Sequence, residues 1–290
     1  MHVGVVFPQT ELGGDPGAAR AYAQAVEALG YHHILSYDHV LGADPATHPG
    51  WSGPYDVHDT FHEPLVLYGF LAAVCRLELV TGIIIMPQRQ TALLAKQAAE
   101  VDLLTGGRFR LGVGVGWNAV EYEALGVDFR SRGARADEQI TLLRRLWTEQ
   151  AVTHTGAHDR VTGAGLAPLP VQRPIPIWIG AWTAPGFRRT GRLADGWFPS
   201  GSPGPKFRAA LEIVTTAARE AGRDPADIGM EPRVSFTPGG QADLVARVDA
   251  WRAEDPSHLS INTMGAGLAG ADAHIAALAE AAEALSLTTP

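Results

Sequence analysis

The sequence predicts an α/β fold, a closed (β/α)8 TIM barrel made by one domain over residues 1–290, with insertions near 38–60 and 151–176. Three observations point there. Short apolar runs alternate with longer amphipathic segments, the pattern of a parallel sheet covered by helices. Leu77–Met86 is apolar almost throughout, as expected of a strand buried on both faces. The alternation repeats eight times in 290 residues, which favours a closed barrel over an open doubly wound sheet.

The elements follow in order. Val3–Phe7 reads as the first strand. Asp15-Pro16 supplies an N-cap and a proline at the first helical position. Tyr22, Val26 and Leu29 continue at helical spacing, and Gly30 ends that helix. Ile34–Tyr37 is the second strand. The polar stretch Asp38–Thr60, rich in Gly, Pro, His and Trp, is the first insertion. Glu63–Cys75 is a helix and Leu77–Met86 the third strand. Thr91 caps a helix through Leu104, which Gly106-Gly107 breaks. Arg108–Val115 is the fourth strand, and a helix over Arg135–Trp147 sets Ile140, Leu143 and Trp147 on one face. Ala151–Pro176 is the second insertion, whose β-prone piece Val152–Thr155 suits a hairpin. Ile177–Ile179 is the fifth strand, before a helix from about Pro185 to Leu193. Gly196–Pro199 is the sixth strand, and a helix over Pro205–Ala221 follows. Ile228–Phe236 is the seventh strand, with a helix over Ala242–Ala253. His258–Asn262 is the eighth. Ala271–Leu285 closes the chain, with Ile275, Leu278 and Leu285 on one stripe.

Composition narrows the function. The net charge is −8 and the only lysines are Lys96 and Lys206, so the basic face of a nucleic-acid binder is not expected. No apolar run reaches the roughly 18–20 residues of a membrane span. The N-terminus lacks the cationic region of a signal peptide. A cytoplasmic protein is expected. Cys75 is the single cysteine, which excludes an internal disulfide or a cysteine zinc site. Its apolar surroundings suit a buried bystander.

In a barrel of this kind the chemistry sits where the strands end. Asp38-His39 puts a carboxylate and an imidazole at the end of the second strand. An imidazole there suits acid–base work or a hydrogen bond to a flavin-like ring. Gly112, Gly114 and Gly116 punctuate the fourth strand, a sign of close backbone approach, by a ligand or by tight packing. The run is not a dinucleotide fingerprint, because Trp117 stands where the third glycine would be. Gly180-Ala181-Trp182-Thr183 precedes a helix, so its backbone suits a phosphate, and Thr183 equally suits a simple cap. His58, His62 and Glu63 lack metalloprotease order and read as loop residues, so no metal is expected.

Taken together, the segments resemble the luciferase-like monooxygenase family, of the F420-dependent oxidoreductase type. The resemblance spans nearly the whole chain. It rests on Val3–Pro8, Ala28–Tyr31, Ser36–His39, Leu94–Gln97, Leu103–Phe109 and Leu111–Trp117. It continues through Glu121, Ala124–Gly126, Arg132-Gly133, Pro176–Gly180, Ala194–Trp197 and Ala221–Pro225. It implies hydride transfer between coenzyme F420 and a small organic substrate at the C-terminal mouth, with His39 catalytic and Asp38 beside the ring. It implies a bulge near Thr81, Gly82 and Ile83 behind the ring, often with a non-prolyl cis peptide in F420-using members. The ribityl phosphate would lie against Gly114, Gly116, Trp117 and Asn118, and against Gly180, Ala181, Trp182 and Thr183. Two departures stand out. Relatives often carry Gly-Gly where Ala181-Trp182 stand. Relatives that oxidise a sugar phosphate carry a glutamate at the position of Trp117, which argues against that substrate. Trp51, Trp117 and Trp182, with Met86 at the third strand's end, would wall a substrate pocket. The alternatives are an FMN-dependent monooxygenase using reduced flavin and O2, and a non-catalytic cofactor-binding barrel. Similar proteins are often dimers, so a homodimer is an expectation by analogy.

Overall fold

Parallel pairing runs right around the barrel in a computed structural model, which describes residues 1–287. The chain begins with β1 (His2–Val6), α1 (Gln9–Leu12), α2 (Pro16–Ala28), β2 (His33–Ser36) and α3 (Pro64–Leu71). Next come β3 (Glu78–Thr81), β4 (Ile84–Ile85), α4 (Thr91–Thr105), β5 (Phe109–Gly114), α5 (Ala119–Ala124) and α6 (Arg132–Thr148). The second insertion holds β6 (Val152–Thr155) and β7 (Arg160–Ala164), paired antiparallel as the expected hairpin. The rest is β8 (Ile177–Gly180), α7 (Ala184–Leu193), β9 (Gly196–Phe198), α8 (Pro205–Glu220), β10 (Gly229–Met230), β11 (Arg233–Ser235), α9 (Gln241–Arg252), β12 (His258–Asn262) and α10 (Gly270–Ala284). None of the described helices is long and apolar enough to cross a membrane.

Two strands read as continuous are broken, each for a physical reason. The expected seventh strand, Ile228–Phe236, is β10 and β11. Pro232 between them has no N–H to give a ladder. β10 pairs with β9 and β11 with β12, so this one segment joins both ends of the sheet and closes the cylinder. The expected third strand, Leu77–Met86, is β3, β4 and a 3-10 turn over Met86–Gln88. Leu79 faces Phe109, yet Ile84 faces Val113, so the third strand carries one extra residue between these partners, a bulge. The Gly82–Ile83 peptide within it is cis. Continuous apolarity hides such an insertion, because no alternation is left to slip.

Local signals explain several helix ends. The Asp15 carboxylate accepts from the Gly17 amide at 2.8 Å and starts α2, which buries Tyr22 and Val26 against the barrel. Gly106, at φ +67°, ends α4. Thr91 does not cap α4: Gln90 is the cap residue, and the Thr91 hydroxyl donates to Asp159 at 2.7 Å. α6 starts at Arg132, a turn before the expected Arg135.

Side chains alternate across the strands and so build two cores. The outer one, between sheet and helices, includes Val5, Ile34, Leu79, Leu111, Ile177 and Ile261, and takes in Cys75. The inner one is Val6, Leu35, Val80, Trp178 and Phe198, which fill the cylinder's middle. Below it lies a fully buried polar network. Glu231 receives Arg110 at 2.8 Å and Ser260 at 2.6 Å, and its other contact is the His33 ring at 2.8 Å. Arg110 also reaches Glu78 at 2.8 Å and stacks 4.3 Å from the Trp178 ring. Gly4 makes room for this layer, since a Cβ there would lie 2.3 Å from the His33 ring.

Candidate active site

Above the inner core, at the C-terminal ends of the strands, a cavity of about 1140 Å³ opens. Tyr37, Ile83 and Phe198 top the inner core and form its floor. Pro54 and Tyr55 from the first insertion close one side, and Phe129, Arg130 and Arg132 at the start of α6 close another.

His39 lines this cavity, with a side chain only 11% exposed. Tyr55, Phe61 and Trp117 surround its ring at centroid distances of 5.3, 4.7 and 5.6 Å. Its Nδ1 lies 3.3 Å from Oε1 of Glu121, on α5. The same carboxylate accepts from the amides of Val40 at 2.7 Å and Leu41 at 3.2 Å, and its Oε2 from Gln88 at 3.4 Å. Burial alone would raise the Glu121 pKa. The His39 contact and the two amides outweigh it and hold the carboxyl below its ordinary value. An ionised Glu121 accepts a hydrogen bond from Nδ1–H, which leaves Nε2 as the imidazole's free nitrogen. Burial pushes the Tyr55 hydroxyl up to about 12, so it stays a protonated donor at neutral pH.

Asp38 is buried and turned to structure. It accepts from the Ile85 amide at 2.9 Å and from Arg89 at 2.6 Å, which pins the strand just past the bulge. The glycine run is explained by the same bulge. A Cβ at Gly112 would overlap the Thr81 carbonyl, and one at Gly114 would lie 2.5 Å from the Ile83 side chain. A Cβ at Gly180 would lie 3.1 Å from Ile83 as well. Ile83 therefore fills the gap between the two glycines, and the space at Gly114 belongs to a side chain. We expect Gly114→Val to push Ile83 into the cavity, weakening cofactor binding about tenfold or more, some 1.4 kcal/mol, while the fold survives. A titration beside a far-ultraviolet spectrum measures both; unchanged affinity removes Ile83 from the site.

The loop after β8 meets the cavity with unpaired backbone. Thr183 is the cap residue of α7, but its side chain makes no capping bond. The amides of Ala184 and Gly186 have no acceptor among the described residues. Ala181 packs toward Gly186, and Trp182 is 67% exposed at the rim, so the bulky pair leaves the cavity open. Arg189 ties α7 to α6, pairing with Asp137 and donating to the Gly133 carbonyl at 2.8 Å. Arg132 stands beside that joint, 3.7 Å over the Phe129 ring.

Of the residues expected at the site, Asp38, His39, Gly82, Ile83, Met86, Gly114, Gly116, Trp117 and Gly180–Thr183 line the cavity. Three do not. Thr81 is fully buried and donates to the Gly112 carbonyl at 2.7 Å, which commits it to the barrel wall. Asn118 caps α5 by accepting from Val120 at 3.0 Å, and its amide holds the Leu41 carbonyl. Trp51 sits behind Trp117, 5.5 Å between ring centroids, with its N–H on the Tyr55 carbonyl. Glu121 and the cavity arginines Arg130, Arg132, Arg189, Arg233 and Arg247 are not among the site residues expected from the sequence. Only Arg132 and Glu121 sat in recognised segments, and nothing there gave their role. His62 reaches the Gly13 carbonyl at 3.1 Å, and Glu63 caps α3.

Comparison with known proteins agrees with this architecture. The family model described as luciferase-like monooxygenase matches residues 1–285. An uncharacterized protein of Mycobacterium tuberculosis is 32% identical over 204 residues, 68% of this chain and 71% of that one. The F420-dependent glucose-6-phosphate dehydrogenase of Segniliparus rotundus is 29% identical over 230 residues, 75% of this chain and 64% of that one. The crystal structure of monooxygenase RslO1 from Streptomyces bottropensis superposes with a TM-score of 0.79 at 22% identity, covering 99% of both chains. The chain belongs to the luciferase-like monooxygenase family of oxidoreductases.

Proposed function

We propose that this chain transfers hydride between coenzyme F420 and a small organic substrate held at the barrel mouth. The observation that carries the reading is one cavity with two unlike ends. At one end an imidazole is held by a buried carboxylate; at the other the α7 N-terminus offers free amides beside Arg132. The residues fit such a cofactor. Free amides at a helix start and the Arg132 guanidinium, which has no carboxylate partner among the described residues, suit its phosphate. Ile83 and Trp117 offer apolar faces to a flat ring. The similarity to an F420-dependent dehydrogenase favours F420 over FMN.

When bound, F420 supplies two-electron hydride chemistry. The protein's own residues do the rest. The amides of Ala184 and Gly186 and the Thr183 hydroxyl would hold the phosphate. Ile83 and Phe198 would support the ring from the floor, and Trp117 and Pro54 would keep water from the reacting face. Glu121 holds the His39 Nδ1 proton, so Nε2 gives or takes a proton at the substrate's polar atom.

Titrating the protein with F420 and with FMN, followed by cofactor fluorescence, tests the assignment. F420 is expected to bind more tightly. Micromolar FMN affinity with no F420 binding would reverse the cofactor and favour oxygen chemistry.

A further inference from the structure

Of the cavity's five arginines, Arg132 stands by the α7 N-terminus, Arg189 and Arg247 pair with carboxylates and Arg130 is exposed, which leaves Arg233 as a half-buried charge with no part in holding the cofactor as proposed. Arg233 stands on β11, where alternation turns Glu231, Arg233 and Ser235 toward the barrel's interior. On β12 the same alternation turns Ser260 and Asn262 inward, and the register sets Arg233 beside Ser260 and Ser235 beside Asn262. Arg233, Ser235 and Asn262 all line the cavity. The half-buried guanidinium lies 5.4 Å from the Tyr37 ring centroid.

The surroundings leave this charge unbalanced. Among the described residues no carboxylate oxygen lies within 4.0 Å of Arg233, whereas Arg189 has Asp137, Arg247 has Asp243 and Arg110 has Glu78 and Glu231. Glu11, on α1, is committed elsewhere, accepting from the Gly265 amide at 2.8 Å and lying 3.2 Å from His274. Asn262 accepts from the Met264 amide at 3.0 Å, which fixes its carboxamide and leaves its NH2 as the free end. The Ser235 hydroxyl has no protein partner among the described residues, so three donors face the cavity together. The Tyr55 ring, packed on His39, also feels the Arg233 charge, so Arg233 and His39 serve one region. A planar guanidinium with a flanking amide is built for a carboxylate, which it binds through two parallel hydrogen bonds.

We propose that Arg233, with Asn262 and Ser235, binds the carboxylate of the substrate, which is therefore a small organic acid. This names the substrate class within the proposed function and rests on that reading. The acid group docks at the strand-seven side, and the reacting carbon then reaches toward His39.

Matched acid and amide pairs test it: benzoate against benzamide, and hexanoate against hexanamide. Each is titrated by intrinsic tryptophan fluorescence, with and without saturating F420, on the full chain, on Arg233→Met and on Arg233→Lys. In the unmodified protein the acids are expected to bind about tenfold or more tighter than the amides. Arg233→Met abolishes that preference with the melting temperature and F420 affinity nearly unchanged, and Arg233→Lys keeps part of it. Equal binding of acid and amide by the unmodified protein, or a preference that survives in Arg233→Met, overturns the proposal. So does an equal loss of F420 affinity in Arg233→Met, because the anion would then be the cofactor's own. The titrations without F420 read the anion site directly. A failure of F420 to bind therefore sinks the cofactor assignment, while an acid preference that depends on Arg233 still supports the anion site.

Discussion

Alanine at position 39 lowers turnover by roughly 10²–10⁴, the usual range for a general acid–base group. Cofactor affinity falls much less, because the amides of Ala184 and Gly186 and the floor residue Ile83 are untouched. The expectation follows from the free Nε2 of a ring whose Nδ1 is committed to Glu121 at 3.3 Å. Glu121→Gln is the companion. It leaves the volume unchanged but removes the charge that orders Nδ1 and the Val40 and Leu41 amides, so kcat falls more than KM rises. The measurement is steady-state turnover per folded molecule beside the melting temperature, once an active substrate is in hand. Unchanged turnover with a lowered melting temperature in His39→Ala would make the ring a packing element of the Tyr55–Phe61–Trp117 cluster and remove it from catalysis.

The largest stability effect belongs to Glu231. Removing one partner of a buried ion pair leaves the other charge uncompensated, at a cost of about 3–5 kcal/mol. Glu231→Ala strands Ser260 and His33 inside the cylinder and leaves Arg110 with only the half-buried Glu78 as a partner, so the melting temperature is expected to drop by roughly 10 °C. The double change Glu231→Leu with Arg110→Met, which removes both charges, costs less than Glu231→Ala alone. A drop of about a degree in Glu231→Ala would show the network to be dispensable.

The pH dependence follows with a definite sign. Burial would raise the Glu231 pKa, but His33 and Arg110 outweigh it and hold the carboxyl well below the usual range. That contribution is present above the unfolded carboxylate pKa and is lost as pH falls through the folded one. Burial, then the Arg110 charge, pushes His258 from 6.5 down to about 3. The unfolded chain therefore takes up a proton below pH 6.5 that the folded chain refuses until about pH 3, so this group also costs stability as pH falls. Denaturant midpoints should decline from neutral pH toward pH 4, and His258→Asn should flatten the upper part of that decline. Midpoints that rise between neutral pH and pH 4 would contradict the His258 assignment, and midpoints that rise on further acidification would contradict that of Glu231.

How far the site was legible depends on how far apart its parts lie in the chain. Asp38 and His39 could be placed at a strand end because they follow directly on an apolar run, and Gly180–Thr183 because a strand and a helix flank them. Glu121 lies 82 residues from His39 and looks like an ordinary acid in the first turn of a helix; only the folded loop brings it under the imidazole. Trp51, Thr81 and Asn118 sit in the right segments but point away from the cavity, toward Trp117, Gly112 and Leu41. Position in a segment does not settle which way a side chain turns when the backbone is irregular.

What the sequence determined by itself is the alternation of eight strands and helices, their order, and the end of the barrel where chemistry occurs. Those follow from local periodicity and from cap and breaker residues, which act over a few neighbours. The bulge in the third strand is implied by the family resemblance at Thr81–Ile83 but by no periodicity; tertiary structure alone decided the closure of the sheet through a proline-split seventh strand and the buried Glu231–Arg110–His33 layer. It also decided the pairing of charges, which leaves Arg189 neutralised by Asp137 and Arg233 without a carboxylate partner among the described residues. Each depends on register and on contacts between residues tens to hundreds of positions apart, and no local pattern encodes which distant partners closure of the cylinder brings together.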